Sequence, residues 1–277
     1  MTHVSSSEGL NIQGFDASHT AVYKVVDGHS LKLHVFLPPD HASTDQRTAI
    51  LFFFGGGWMI GNPSQFFPHC AYLASRGMVA VSAEYRVQKQ HGTSPQECVK
   101  DGKSAMRWLR AHAAEWGIDP DKILAGGGSA GGHVAAATAT LEDFNESEDD
   151  CSISCKPAAL VLFNPVFNNG PESYGYDRVK DYWQSFSPAH NLSTEPPPTL
   201  VLFGTQDVHV PVTMAEDYKQ QMEALGRRCD LHFYEGQPHG FFNYTEAQMP
   251  YYRATVRVMD RFLASLNYLD GEPTIED

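Results

Sequence analysis

The sequence predicts a mostly parallel, doubly wound α/β sheet of about eight strands with helices on both faces, opened by an antiparallel hairpin. Three observations carry this. Apolar strand-like runs and longer helical runs alternate from about residue 49 onward, the order that produces βαβ crossovers. The run Ala49-Ile50-Leu51-Phe52-Phe53-Phe54 is apolar on consecutive residues rather than on every second one, as expected of a strand covered on both faces. Finally, 277 residues that are 42% hydrophobic and 19% charged supply apolar material for a large core, so 1–277 is expected to form one domain.

Residues 20–26 and 29–37 alternate apolar and polar positions around Asp27-Gly28, the signature of a hairpin, and Pro38-Pro39-Asp40 ends it. After the strand at 49–54 the alternation predicts a helix near 64–76, a strand at 78–84, a helix near 96–115 and a strand at 121–126. A small-residue helix then runs to about 141. Strands at 158–164, 199–205 and 229–236 follow, with helices near 212–225 and 248–266. The segment 165–198 has no period. It carries Tyr174, Tyr176, Tyr182, Trp183 and Phe186, which point to an ordered lid or substrate loop rather than to disorder.

The stretch around which these elements are arranged is Ile123-Leu124-Ala125-Gly126-Gly127-Gly128-Ser129-Ala130-Gly131-Gly132-His133, a strand running through glycines and a serine into a helix. Gly127 and Gly131 flank Ser129 at the spacing G-x-S-x-G, which a sharp turn needs because a Cβ there meets the neighbouring strand or helix. Such a turn exposes the serine hydroxyl and leaves backbone N–H groups free at the start of a helix. A glycine-rich turn before a helix is, taken alone, more often only a turn.

Two further strand ends carry reactive residues. Asp207 follows Leu200-Val201-Leu202-Phe203-Gly204-Thr205, and His239 follows His232-Phe233-Tyr234-Glu235-Gly236. In doubly wound sheets functional groups gather beyond the carboxyl ends of the strands. A neutral serine needs an imidazole to take its proton, and the imidazole needs a carboxylate to hold its tautomer. Asp207 read singly is an ordinary turn aspartate, and one of 13 histidines in a loop is unremarkable. Together, in the order Ser, Asp, His at three strand ends, they predict a nucleophile, an orienting acid and a base. Gly55-Gly56-Gly57-Trp58 after the strand at 49–54 supplies the remaining part, since Gly56 and Gly57 can turn their N–H groups toward the same spot as that of Ala130 and so form an oxyanion hole.

The net charge of −13 argues against nucleic acid or an anionic membrane surface as partner, and no apolar run approaches the ~20 residues of a membrane span. Met1-Thr2-His3-Val4-Ser5-Ser6-Ser7-Glu8 shows neither a basic nor an apolar leader region, which makes the cytoplasm the default expectation. Cys70, Cys98 and Cys229 sit in apolar surroundings and read as buried thiols. Cys151 and Cys155, in an acidic loop, leave a local disulfide or half of a metal site as the weaker readings, and no metal or other cofactor is expected.

These residues resemble the α/β-hydrolase superfamily, and within it the hormone-sensitive-lipase-like and acetyl-esterase-like branch. The matching pieces are Gly55-Gly56-Gly57 for the His-Gly-Gly-Gly motif, Glu84-Tyr85-Arg86 for Asp-Tyr-Arg, Gly127-Gly128-Ser129-Ala130-Gly131 for the elbow, Gly204-Thr205-Gln206-Asp207 for the acid loop and Pro238-His239-Gly240-Phe241 for the base. The resemblance spans about residues 20 to 266 and implies carboxyl-ester chemistry without naming a substrate. Phe54 stands where the family has histidine, so the hydrogen bonds of that imidazole must come from elsewhere or be absent. With the opening hairpin taking up much of what precedes the glycine triplet, the family's helical N-terminal cap is not expected here, and the expectation is an open site, roofed if at all by 165–198.

The expectation is therefore a cofactor-free serine esterase acting on short-chain acyl esters, acetylated sugars among them. Trp58, Tyr174, Tyr176, Trp183 and Phe241 are the candidate substrate contacts. Amide cleavage of the peptidase or arylformamidase type on the same three residues is an alternative reading, and a non-catalytic binding module on a hydrolase scaffold is another. The oligomeric state is left open.

Overall fold

The computed structural model describes residues 13–192 and 195–276. The N-terminal octapeptide read for a leader lies outside the described residues. The strands are β1 (His19–Val26), β2 (His29–Phe36), β3 (Arg47–Phe53), β4 (Val79–Ala83), β5 (Ile118–Gly128), β6 (Leu160–Phe163), β7 (Thr199–Gly204) and β8 (Cys229–Tyr234). The helices are α1 (Phe67–Ser75), α2 (Gln88–His91), α3 (Pro95–Ala111), α4 (Ala130–Thr140), α5 (Tyr176–Val179), α6 (Trp183–Phe186), α7 (Val212–Ala224) and α8 (Met249–Ser265). The strands form one eight-stranded sheet in the order β1-β2-β4-β3-β5-β6-β7-β8. β2 runs antiparallel to both β1 and β4, and every later pairing is parallel, so the expected doubly wound sheet with an opening hairpin is what the chain adopts.

Burial explains the strand sequences. β3 from Ala49 to Phe53 and all of β6 are fully covered, because helices lie on both faces. One face packs Leu51, Phe53, Ala125, Leu160 and Leu162 with α3 and α4; the other packs Ile50, Phe52, Leu124, Val161 and Phe163 with α1 and α8. α4 is buried along its whole length, and its Ala/Gly/Thr composition follows from that position between the sheet and α3. Within 165–198, the described residues form the short helices α5 and α6 plus a further helical turn at Pro188–His190. Helices of four residues are too short to leave a period in the sequence, which is why the segment reads as loop. All five cysteines are free thiols, Cys155 buried and Cys151 exposed. No helix among the described residues is long and apolar enough to cross a membrane.

Candidate active site

β5 is the central strand, paired to β3 on one side and β6 on the other, and its carboxyl end delivers Ser129. The residue is held at φ +54°, in the left-handed region that a serine adopts only under constraint. Two bonds impose it: the Ser129 N–H donates to Phe163 O at 2.9 Å, and Ser129 O accepts the first helical hydrogen bond from His133 N at 3.0 Å. The close approach of α4 to β3 needs Gly131, where a Cβ would collide with the carbonyl oxygens of Phe53 and Phe54.

Asp207 sits in the turn after β7 with its side chain wholly buried. Its Oδ1 accepts from the N–H groups of His209 (2.8 Å) and Val210 (3.0 Å), and its Oδ2 from His239 Nδ1 at 2.6 Å. Burial alone raises this carboxyl; the hydrogen bond and charge of His239 and the two N–H donors outweigh it and carry the group below its ordinary value. With Nδ1–H committed to the carboxylate, Nε2 of His239 keeps its lone pair and accepts from Ser129 Oγ at 2.8 Å. Three side chains from strand ends far apart in sequence thus form one hydrogen-bonded line. The acid and base loops are also stitched together by Thr205 N donating to Tyr234 O and Gln206 N to Gln237 O.

Facing Ser129 is the loop after β3, where Gly56 (φ +129°), Gly57 (φ +64°) and Trp58 (φ +61°) follow one another in positive-φ conformations. A Cβ on Gly56 would strike Ile60 O, so glycine is required there. Among the described residues nothing accepts a hydrogen bond from the N–H of Gly56 or Gly57. Ala130 opens α4, so its N–H has no carbonyl within the helix to bond.

What holds this loop is the answer to the missing histidine. Phe54 stacks on Tyr85 at 4.1 Å, and Tyr85 Oη donates to Phe54 O at 2.5 Å. Gly55 N donates to Gln65 Oε1 at 2.7 Å; Gln65 Nε2 donates to Asn243 Oδ1 at 2.8 Å; Asn243 Nδ2 donates to Gly240 O at 2.8 Å. An amide chain therefore ties the glycine loop to the loop bearing His239. Arg86, next to Tyr85, is anchored by a bidentate pair with the fully buried Asp101 of α3, to which Lys24 of the hairpin also bonds. From the 165–198 segment, Arg178 Nη1 donates to Gly57 O at 2.7 Å.

These groups enclose a cleft of about 280 Å³ over Ser129, walled by Gly56, Gln65, Asn164, Tyr174, His209 and Phe242. A larger cavity of about 430 Å³ lies elsewhere, at the end of α4 around Lys103 and Cys151, and contains none of these residues. Of the aromatic side chains expected to contact substrate, Tyr174 lines the cleft and the other four do not. Trp58 is 1% exposed and lies beneath the glycine loop against His133, Phe186 and Tyr174; Phe241 is fully buried against Tyr234. Trp183 packs on His190, and Tyr176 is absent from the cleft wall. Among the wall residues that spacing did not announce are Gln65, Asn164, His209, Phe242 and Asn243. Phe242 alone had a signal, since adjacent aromatics Phe241-Phe242 in one turn cannot both face the same way.

A family model described as alpha/beta hydrolase fold matches residues 50–243. Among solved structures, Thermogutta terrifontis esterase 2 phosphonylated by cyclosarin superposes with a TM-score of 0.88 at 43% identity, covering 92% of this chain and 96% of that one. The same esterase with propionate bound gives 0.88 at 42% identity over 92% and 96%. Esterase LipC of Mycobacterium tuberculosis is 27% identical over 220 residues, 72% of this chain and 54% of that protein. The chain spans about half the length of the curated relatives it matches.

Proposed function

Because the chain belongs to the α/β-hydrolase family, in its hormone-sensitive-lipase-like and acetyl-esterase-like branch, we propose that it is a serine carboxylesterase that cleaves short-chain acyl esters through an acyl-enzyme. The observation that carries this reading is the unbroken line from Asp207 Oδ2 through His239 to Ser129 Oγ, at 2.6 Å and 2.8 Å, opening into a cleft beside unpaired glycine N–H groups.

In this mechanism Ser129 Oγ attacks the ester carbonyl as His239 Nε2 takes its proton, and Asp207 stabilises the imidazolium formed. The developing oxyanion is received by the N–H groups of Gly56, Gly57 and Ala130; one such donor is worth about 3–4 kcal/mol where measured. His239 then returns the proton to the departing alcohol, and a water attacks the acyl-enzyme by the same route, releasing the acid. No step requires a cofactor.

The size of the cleft and its polar amide wall, Gln65 and Asn243, favour acetyl to butyryl groups over long chains. The Thermogutta structures support this, one phosphonylated by an organophosphorus agent and one with propionate bound. At the mouth, the His209 ring stands edge-on to His239 at 4.9 Å and to Tyr174 at 5.5 Å. That amphipathic rim suits a hydroxylated alcohol and supports including acetylated saccharides among the proposed substrates. A screen of p-nitrophenyl esters from acetyl to decanoyl, with acetylated saccharides and an amino-acid anilide in parallel, tests the reading. Highest kcat/KM at acetyl to butyryl is expected; a decanoyl optimum or faster anilide cleavage would reject it.

A further inference from the structure

Asn164 takes no part in the chemistry just described, yet it stands in the wall of the cleft directly after β6. It is completely buried, and its φ is +32°, a backbone strain kept only where the surroundings over-determine it. Its N–H donates to Leu202 O at 2.8 Å, and its Oδ1 accepts from Gly240 N at 3.0 Å. A backbone N–H can only donate, so the amide orientation is unambiguous and Nδ2 faces His239 Nε2, at 3.5 Å. The same Nε2 accepts from Ser129 Oγ.

We propose that Asn164 is a positioning residue for the base: its Oδ1 ties the loop bearing His239 to the strand end beside Ser129, and its Nδ2 sets a donor and never an acceptor beside Nε2, so that the nitrogen meeting the serine is the unprotonated one. This rests on the esterase reading for its consequence on turnover and on geometry alone for the contact. The groups facing the imidazole are Asp207 on Nδ1, Ser129 and Asn164 on Nε2, and the His209 ring edge-on. A neutral amide satisfies Gly240 N–H with an acceptor and at the same time turns an uncharged donor toward Nε2. Aspartate in its place keeps the first bond and sets a carboxylate against the ring.

The test is Asn164→Asp, read two ways. The His239 imidazole signals are followed by NMR titration of wild type and variant, and kcat/KM is followed against pH on p-nitrophenyl acetate. In the variant both the NMR midpoint and the acidic limb of the rate profile are expected to move up by about one pH unit or more, because an opposite charge within reach favours the imidazolium. An unmoved NMR midpoint overturns the proposal whatever the protein hydrolyses. A wild type inert toward every ester rejects the functional reading and leaves the NMR result to decide this one. Should Asn164→Asp not fold, Asn164→Ser replaces it: kcat lower by about tenfold with KM within about twofold is expected, since the base is misaligned and ground-state binding is not. Unchanged kcat there overturns the proposal.

Discussion

Tyr85 both stacks on Phe54 at 4.1 Å and donates its hydroxyl to the Phe54 carbonyl at 2.5 Å, so one side chain holds ring and backbone at the root of the glycine loop. Its own position is set from behind, where Arg86 is clamped by Asp101.

The first prediction follows from that pairing. Tyr85→Phe keeps the stack and leaves the carbonyl of Phe54, a residue only 2% exposed, with no donor. A buried unpaired acceptor costs about 1–3 kcal/mol, which lowers Tm by roughly 2–4 °C per kcal/mol in a domain of this size. Turnover should fall as well, by up to roughly tenfold at unchanged KM, because Gly56, the first of the proposed oxyanion donors, lies only two residues further on. A variant with wild-type kcat and Tm would show that the hydroxyl does neither.

Ser129→Ala is expected to reduce kcat by several orders of magnitude, and Ser129→Ala/His239→Ala to be hardly worse than either change alone, since the two act as a unit. Asp207→Asn should lose about 10⁴ in kcat by allowing the wrong imidazole tautomer. Burst titration with a fluorophosphonate separates these losses from unfolding: Asp207→Asn should still label, slowly, whereas Ser129→Ala should not. Residual kcat above about a tenth of wild type in Ser129→Ala removes Ser129 from the mechanism.

Acid should destabilise the fold through two buried histidines. Burial pushes both His69 and His133 down to about 3; for His133 this holds although its Nε2–H is hydrogen-bonded to Phe186 O at 2.9 Å. A histidine with a depressed folded-state value is neutral in the fold and takes up a proton on unfolding. The stability that goes with the neutral ring is therefore complete above about pH 6.5 and is lost as the pH falls toward 3. From pH 7 to pH 5 each ring accounts for about 2 kcal/mol of that loss. His69 lies among Phe66, Phe163 and Tyr252 with neither ring nitrogen bonded, so His69→Leu should remove its share. Urea midpoints at the two pH values measure this. An identical pH slope in variant and wild type would mean that His69 is not charged on unfolding in this range.

The amide bridge between the two loops predicts a coupling. Gln65→Leu and Asn243→Leu should each lower kcat, and the double variant should lose less than the sum, with an interaction energy of about 0.5–3 kcal/mol, as expected for directly bonded partners. Strict additivity in the cycle would show that the glycine loop and the histidine loop are held independently.

Sequence spacing makes the fold and the meeting of Ser129, Asp207 and His239 at three strand ends legible, because both depend on local signals: consecutive apolar runs for covered strands, and glycines at fixed offsets for the elbow. The amides Gln65, Asn164 and Asn243 have no such signature. Each matters through a partner 10 to 178 residues away, and an asparagine or glutamine in a loop looks the same whether it faces solvent or a histidine. Trp58 and Phe241 mislead for a related reason. Trp58 directly follows Gly55-Gly56-Gly57 and Phe241 lies two residues after His239, but the chain turns so sharply there that a neighbour in sequence lies behind the wall rather than in it. Trp58 is moreover held at φ +61°, a conformation that no propensity argument assigns to tryptophan.

The left-handed backbone of Ser129 reaches beyond chemistry. Glycine adopts that conformation without strain, so a substitution that removes the proposed nucleophile is also one the backbone would accept with relief. Folding gives no protection to the hydroxyl. A Ser129→Gly change would therefore leave the sheet, the loops and the cleft in place and keep the shape of the proposed site without its nucleophile.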